Sequence, residues 1–370
     1  LSNLNKLIAA FLLIFTCSSS GLTDDRKDQR KLRVGLSLPL TGVASEYGTA
    51  SMNGIKLAQK HHPEFFTNIT FIPDDNQYSA RNSVTSVQRL HGIEKVDILY
   101  LFGETPAVSA APIVESMKLP TISMSQDETP ARGKNYFVRN INHAELYSIK
   151  LLEHLRERGW KNLAIVETID SYTTQLIDGL KKNLREDETL TIIDRFDSET
   201  QDFRSSILKL RRANIDALGI YLFPGQIEQF SRQARQAGYS IPVFGNELFE
   251  SATIIEGSEG FLEGAVYPGL MVDEEFRKEY KKAYGNDIVL SYAALGYDTA
   301  VFIGRLFNQK NPDELDPRTI METIEAASTI EGVLGTYTYQ NDDEAGKFFQ
   351  SENIIFKIDG NSIVSWEPAE

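Results

Sequence analysis

Short apolar runs alternate with segments of helical spacing along most of this chain, and the alternation runs twice. Val34, Leu36, Leu38 and Leu40 sit in a near-continuous apolar stretch, the mark of a strand buried on both faces. After the Thr41-Gly42 turn, Ser51, Gly54, Ile55 and Ala58 recur at helical spacing. The small Gly54 is expected to let this helix approach the sheet closely. Strands are predicted at 69–72, 97–101 and 120–124, with helices at 79–90 and 106–117 between them. The cycle then restarts. A helix carries Ile149, Leu152 and Leu155 and stops at Gly159, followed by a strand at 163–166. A helix over 172–184 leads to a strand reaching Phe196, and a helix with Phe203, Ile207 and Leu210 leads to a strand at 217–223. A further helix has Pro224 in its first turn and Gly238 at its end, the expected start and stop signals. A last short strand at 242–244 closes the run. Repeated strand–helix alternation predicts an α/β fold with parallel sheets, here duplicated.

The last third reads differently. Charged helices are predicted at 274–284, 292–306 and 318–327, Gly332 and Gly335 flank a turn, and 352–358 alternates like a late strand. This segment fits either half.

The first residues do not read as part of the fold. Lys6 precedes an apolar run over 7–15, then come Thr16, Cys17 and a serine run, the pattern of a secretory signal. The run is shorter than the ~20 apolar residues a membrane span needs. Residues 1–16 are therefore expected to be a signal peptide and 17–31 a polar tether. Cys17 stands where a bacterial lipoprotein signal places its lipidated cysteine, with cleavage and secretion without lipid as the alternative. Cys17 is the single cysteine, so neither an intrachain disulfide nor a cysteine zinc cluster can form. The 370-residue chain carries a formal net charge of −14, which speaks against a nucleic-acid partner and against general attraction to anionic lipid.

Catalytic signatures are missing. No Gly-rich dinucleotide turn follows the first strand, no phosphate-cradling loop leads into Lys-Ser/Thr, and no nucleophile elbow occurs. His61 and His62 with Glu64 lack the helical spacing of two ligating histidines and read as a helix end. No enzyme activity, metal or cofactor is expected.

The stretch VGLSLPLTGVASEYGTASMNGIKLA over 34–58 resembles the opening of type I periplasmic solute-binding proteins of the leucine/isoleucine/valine receptor family. The likeness continues through DILYLFG, RQARQAG with its following VFGNE, EGAVYPGLMVDEEFRKEYKKAYG and SYAALGYDTA, and covers about 32–360. The resemblance implies two doubly wound parallel-sheet lobes joined by a three-crossing hinge, with ligand in the cleft. It places 32–141 plus 269–336 in lobe one and 142–268 plus 337–370 in lobe two. Ligands of such sheets meet the carboxyl ends of the strands. By the same resemblance Tyr47 is a ligand-contacting aromatic, Tyr172 closes from the second lobe, and Phe223 adds another aromatic. Ser125 and Gln126 form a loop that holds the ligand through backbone and hydroxyl groups. Glu247 is the carboxylate for a ligand ammonium, which charge-assisted hydrogen bonds favour. Ordinary core packing for Tyr47 and Phe223, a helix-capping turn for Ser125 and Gln126, and a solvated loop glutamate for Glu247 are the plainer readings.

There is one departure. Where members that bind α-amino acids place a serine for the ligand carboxylate, this chain reads Gly103-Glu104-Thr105-Pro106, with Glu104 at the serine position and Thr105 next to it. A carboxylate facing a carboxylate is unfavourable in a closed cleft. The expected function is a receptor that delivers a small polar solute, amino-acid-like or an amide or amine, to the membrane subunits of an ABC importer. An envelope lipoprotein that activates a cell-wall synthase without solute, or a sensory ligand-binding domain, is the alternative. The expected location is the periplasm or the outer face of a bacterial membrane.

Overall fold

A computed structural model describes residues 30–287 and 289–366. The expected signal peptide, Cys17 and most of the expected tether lie outside the described residues. The first run of elements is β1 (Leu32–Leu38), α1 (Ser45–His61), β2 (Ile69–Asp75), α2 (Ala80–Gly92), β3 (Ile98–Phe102), α3 (Glu104–Met117), β4 (Thr121–Met124) and β5 (Phe137–Arg139). The second is α4 (Ala144–Glu157), β6 (Asn162–Thr168), α5 (Ser171–Lys182), β7 (Thr189–Phe196), α6 (Arg204–Leu210), β8 (Ala217–Tyr221), α7 (Gln226–Gln236), β9 (Val243–Phe244), α8 (Ala252–Gly257) and β10 (Val266–Leu270). Then come α9 (Glu274–Tyr284), α10 (Leu290–Phe307), α11 (Pro317–Ala326), β11 (Thr329–Gly332), β12 (Gly335–Asp342), β13 (Gly346–Gln350), β14 (Asn353–Asp359) and β15 (Ser362–Ser365).

Two sheets result. One has the order β11-β12-β13-β5-β4-β3-β1-β2, the other β15-β14-β10-β9-β8-β6-β7. Within each, the strands of the strand–helix cycle pair in parallel. Strand order reverses between β1 and β3 in one sheet and between β6 and β8 in the other. At such a reversal the connecting helices leave on opposite faces, opening a crevice at the carboxyl ends of the strands. Both sheets therefore present loops from a reversal point: Gly103-Glu104 after β3 in one, Ile169-Asp170 after β6 and Phe223 after β8 in the other.

The chain passes between the sheets three times, after β5, β10 and β13. The last passage differs from expectation. Residues 337–350 were expected in lobe two, yet β12 and β13 pair antiparallel with one another and β13 joins β5 of the first sheet. The turn at Gly332–Gly335 explains this. The Asp298 carboxylate accepts the backbone N–H groups of Val333 (2.8 Å) and Leu334 (3.1 Å) and the Tyr337 hydroxyl (3.0 Å). A Cβ on Gly332 would lie 2.3 Å from that carboxylate. The turn is thus folded back as a hairpin onto its own sheet, and the crossing moves to Ser351. There the Asn142 side chain accepts the Ser351 N–H (2.8 Å) and donates to the Ser351 carbonyl (2.9 Å), which ties the third crossing to the first.

Gly54 also has a role other than the expected one. A Cβ there would meet the Ala293 carbonyl of α10 at 1.8 Å, and one on Gly296 would meet the Ser51 carbonyl of α1 at 2.2 Å. The close approach is helix to helix, backbone against backbone, between α1 and α10. His61 and His62, at the end of α1, both contact the Tyr297 hydroxyl of α10, at 3.2 and 3.1 Å. They serve the same seam.

Candidate functional site

The α1–α10 seam fixes the first wall of the cleft. It sets Tyr47 of α1 against Tyr292 of α10, ring centroids 5.0 Å apart and edge to face. Phe102, the last residue of β3, lies 5.6 Å from Tyr292. Tyr78 completes the wall from the β2–α2 loop. That loop is pinned by the buried Asn76, whose side chain donates to the carbonyls of Ser37 (3.0 Å) and Phe102 (3.2 Å) and accepts the Tyr78 N–H (2.9 Å). Gln77 and Tyr78 both take left-handed backbone, φ 54°, a conformation costly for residues with a Cβ and held here by the surrounding bonds. Gly103, at φ 103°, leaves room for the Tyr78 ring, since a Cβ there would lie 2.6 Å from it.

The second wall comes from the other lobe. Asp170 caps α5 by accepting the Tyr172 N–H at 2.9 Å, which aims the start of the helix at the cleft. Asn246 accepts the Leu248 N–H at 3.1 Å and so shapes the 3-10 turn Glu247–Glu250 after β9. Phe223 reaches across to Tyr78, edge to face at 6.2 Å.

Between these walls is a cavity of ≈ 430 Å³ including its opening to solvent. Six of its lining residues are aromatic: Tyr47, Tyr78, Phe102, Tyr172, Phe223 and Tyr292. Glu104 is the charged member, and none of the lining residues is Lys, Arg or His.

Tyr47, Glu104, Tyr172 and Phe223 thus share one cavity. Gln126 and Glu247 meet beside it, with the Gln126 amide donating to Glu247 Oε1 at 2.5 Å across the lobes. Tyr292 donates to the same oxygen at 3.0 Å. Thr105 does not line the cavity; its hydroxyl donates across the cleft to Asp170 at 2.7 Å. Ser125 is buried in its own turn, where its hydroxyl reaches the Asp127 carbonyl at 3.4 Å. Sequence reasoning did not single out Tyr78, Phe102 or Tyr292.

The electrostatics are one-sided. Burial pushes Glu104 up to about 8, although the Gln126 N–H (3.0 Å) and the Tyr78 hydroxyl (2.8 Å) stabilise its carboxylate; Asp170 adds a further upward push. Burial also raises Glu247, offset in part by its own backbone N–H and by Tyr172, Tyr292 and Gln126. Glu250 is pushed up to about 7 by burial, with a Ser291 hydrogen bond opposing and Glu247 adding to the shift. The Tyr47 hydroxyl and Gln126 Oε1 are buried and have no hydrogen-bond partner among the described residues. The cleft therefore presents aromatic faces and acids that resist ionisation without a cation, with unpartnered polar atoms buried beside them.

The fold matches known structures over nearly its whole length. A leucine binding protein from Thermotoga maritima superposes with a TM-score of 0.80 at 20% identity, covering 91% of this chain and 98% of that one. A branched-chain amino acid transporter substrate binding protein from Streptococcus pneumoniae, in complex with isoleucine, gives 0.78 at 15% identity, covering 91% and 100%. A solute binding protein of an ABC transporter from Rhodopseudomonas palustris BisB5, in complex with 3,4-dihydroxybenzoic acid, gives 0.78 at 21% identity, covering 91% and 96%. Among the described residues no helix is long and apolar enough to cross a membrane. Residues 31–352 match the periplasmic binding protein family, and the chain belongs to it.

Proposed function

We propose that this protein is a non-catalytic extracytoplasmic receptor that captures a small amino-acid-like, amide or amine solute between its lobes and delivers it to the membrane subunits of an ABC importer. The observation that carries the reading is the shared cavity. Tyr47 and Glu104 from one lobe and Tyr172 and Phe223 from the other line a single space at the carboxyl ends of both sheets. Ligand held there touches both lobes, so it favours the closed arrangement by contacts the open one lacks. The similar proteins named above, which include transporter receptors, support the importer assignment. Export through residues 1–16 and attachment through lipid on Cys17 complete the proposal. Native mass spectrometry of protein purified from its own host tests it. A retained small molecule, lost on unfolding and refolding, is the expected result. A mass equal to the bare chain, together with no thermal shift across a panel of amino acids, amides and amines, would overturn it.

Activation of a cell-wall synthase without solute is the second reading. Direct protein contacts between the lobes, Gln126 to Glu247 and Thr105 to Asp170, favour it.

A further inference from the structure

A ligand carboxylate entering this cleft would need a cation or unspent N–H donors. The lining residues supply no cation. The N–H of Gln126, which follows β4 at the carboxyl edge of the sheet, is already given to Glu104 Oε1 at 3.0 Å, and the Tyr78 hydroxyl to Glu104 Oε2 at 2.8 Å. Glu104 is also the first residue of α3, where the helix dipole favours negative charge. The protein's own side chain therefore sits where the first lobe would otherwise receive an anion.

The other polar groups call for a donor. Glu104 faces the cavity, Glu247 lies behind the Gln126 amide, and Gln126 Oε1 and the Tyr47 hydroxyl are buried and unpartnered. An ammonium carries three donors and no acceptor. It can meet Glu104, the acid that lines the cavity, and reach Gln126 Oε1 and Glu247 once the Gln126 side chain turns aside. Six aromatic rings around the acids suit the remainder of the molecule, through apolar contact and attraction of the cation to ring faces.

We infer that the cleft is built for a primary amine with an apolar or aromatic body and no carboxylate, and that Glu104 is the built-in replacement for the carboxylate an amino acid would bring. This rests on the receptor reading above and narrows it. Such an amine is the product of amino-acid decarboxylation, so that class of reaction would supply the solute.

The test is calorimetry on protein unfolded and refolded to remove carried-over ligand, with matched series: 3-methylbutylamine against leucine, and 2-phenylethylamine against phenylalanine and 3-phenylpropionate. The expected result is that the amine of one series binds at least about tenfold tighter than its acid-bearing partners. Glu104→Gln, which keeps shape and an acceptor for the Gln126 N–H, should weaken the amine at least about tenfold. Glu104→Ser, which frees that N–H, should weaken the amine and strengthen the amino acid. Thermal melts establish that both variants fold. Tighter binding of an amino acid or acid by the unaltered protein overturns the inference and leaves the receptor reading standing, as does amine binding indifferent to Glu104→Gln. No binding by any member of either series overturns the inference, and the receptor reading then rests on the native mass and the wider panel.

Discussion

Glu247 of the second lobe accepts the side-chain amide of Gln126 from the first, at 2.5 Å and out of water's reach. Tyr292 of the first lobe donates to the same oxygen at 3.0 Å, and both contacts engage an acid already disfavoured by burial. Gln126→Met keeps the length of the side chain and removes the donor. The loss of a hydrogen bond to a buried acid should cost the closed arrangement about 1–3 kcal/mol. Small-angle scattering of ligand-free protein should show a larger radius of gyration in the variant. An unchanged scattering curve would mean that the contact does not hold the lobes together.

Stability should depend on pH through Glu104. Its carboxyl sits near 8 in the folded protein and near the ordinary 4.5 when unfolded. Below 4.5 both states hold the proton; between 4.5 and 8 only the folded state does, so stability falls as pH rises through that window and the full penalty is present above 8. Glu104→Gln cannot titrate. The melting temperature of that variant minus that of the parent should therefore grow from pH 5 to pH 8. A difference independent of pH would remove Glu104 as its source. A bound ammonium reverses the preference, because it needs the carboxylate; amine affinity should rise with pH up to about 8.

Gly54→Ala tests the seam behind the aromatic wall. The added Cβ would fall 1.8 Å from the Ala293 carbonyl, a contact with backbone that no side-chain rotation relieves. Separation of α1 from α10 should cost about 1–3 kcal/mol or more, as overpacking does. It should also loosen ligand binding by displacing Tyr47 from Tyr292. Thermal melting and calorimetry read the two effects. Loss of stability with unaltered affinity would show that the aromatic wall is held by other contacts.

Cys17→Ser should move the protein from the membrane fraction to the soluble fraction of its host, as immunoblotting of fractionated cells would show. A protein whose mature end lies well beyond residue 17 would make the lipid anchor untenable.

The strand–helix cycle was legible because each buried strand is a short apolar run and each helix shows its spacing: 34–40 and 163–166 announce β1 and β6 without ambiguity. Tyr47, Glu104, Tyr172 and Phe223, which line one cavity, were named by the family resemblance rather than by spacing: many residues follow strands, and nothing local marks these four. Tyr292 was not, since its helix is expected to be a charged one, whereas α10 is almost wholly buried and its seam with α1 turns Tyr292 towards Tyr47. Tyr78 was hidden in a loop whose shape depends on Asn76 bonding to two other strands. The β12–β13 hairpin was misassigned because its sheet is chosen by Asp298, remote in sequence from the turn that it binds.

Asn142 and Ser351 belong to crossings more than two hundred residues apart in the chain, yet a single side-chain amide grips both backbone polar groups of one residue. Two of the three connecting segments are thereby spliced, and neither can twist without dragging the other. A motion that separates the lobes while keeping both hydrogen bonds would turn about an axis close to Asn142, a pivot like a door pin. Each side chain of the aromatic wall then travels in proportion to its distance from that pin.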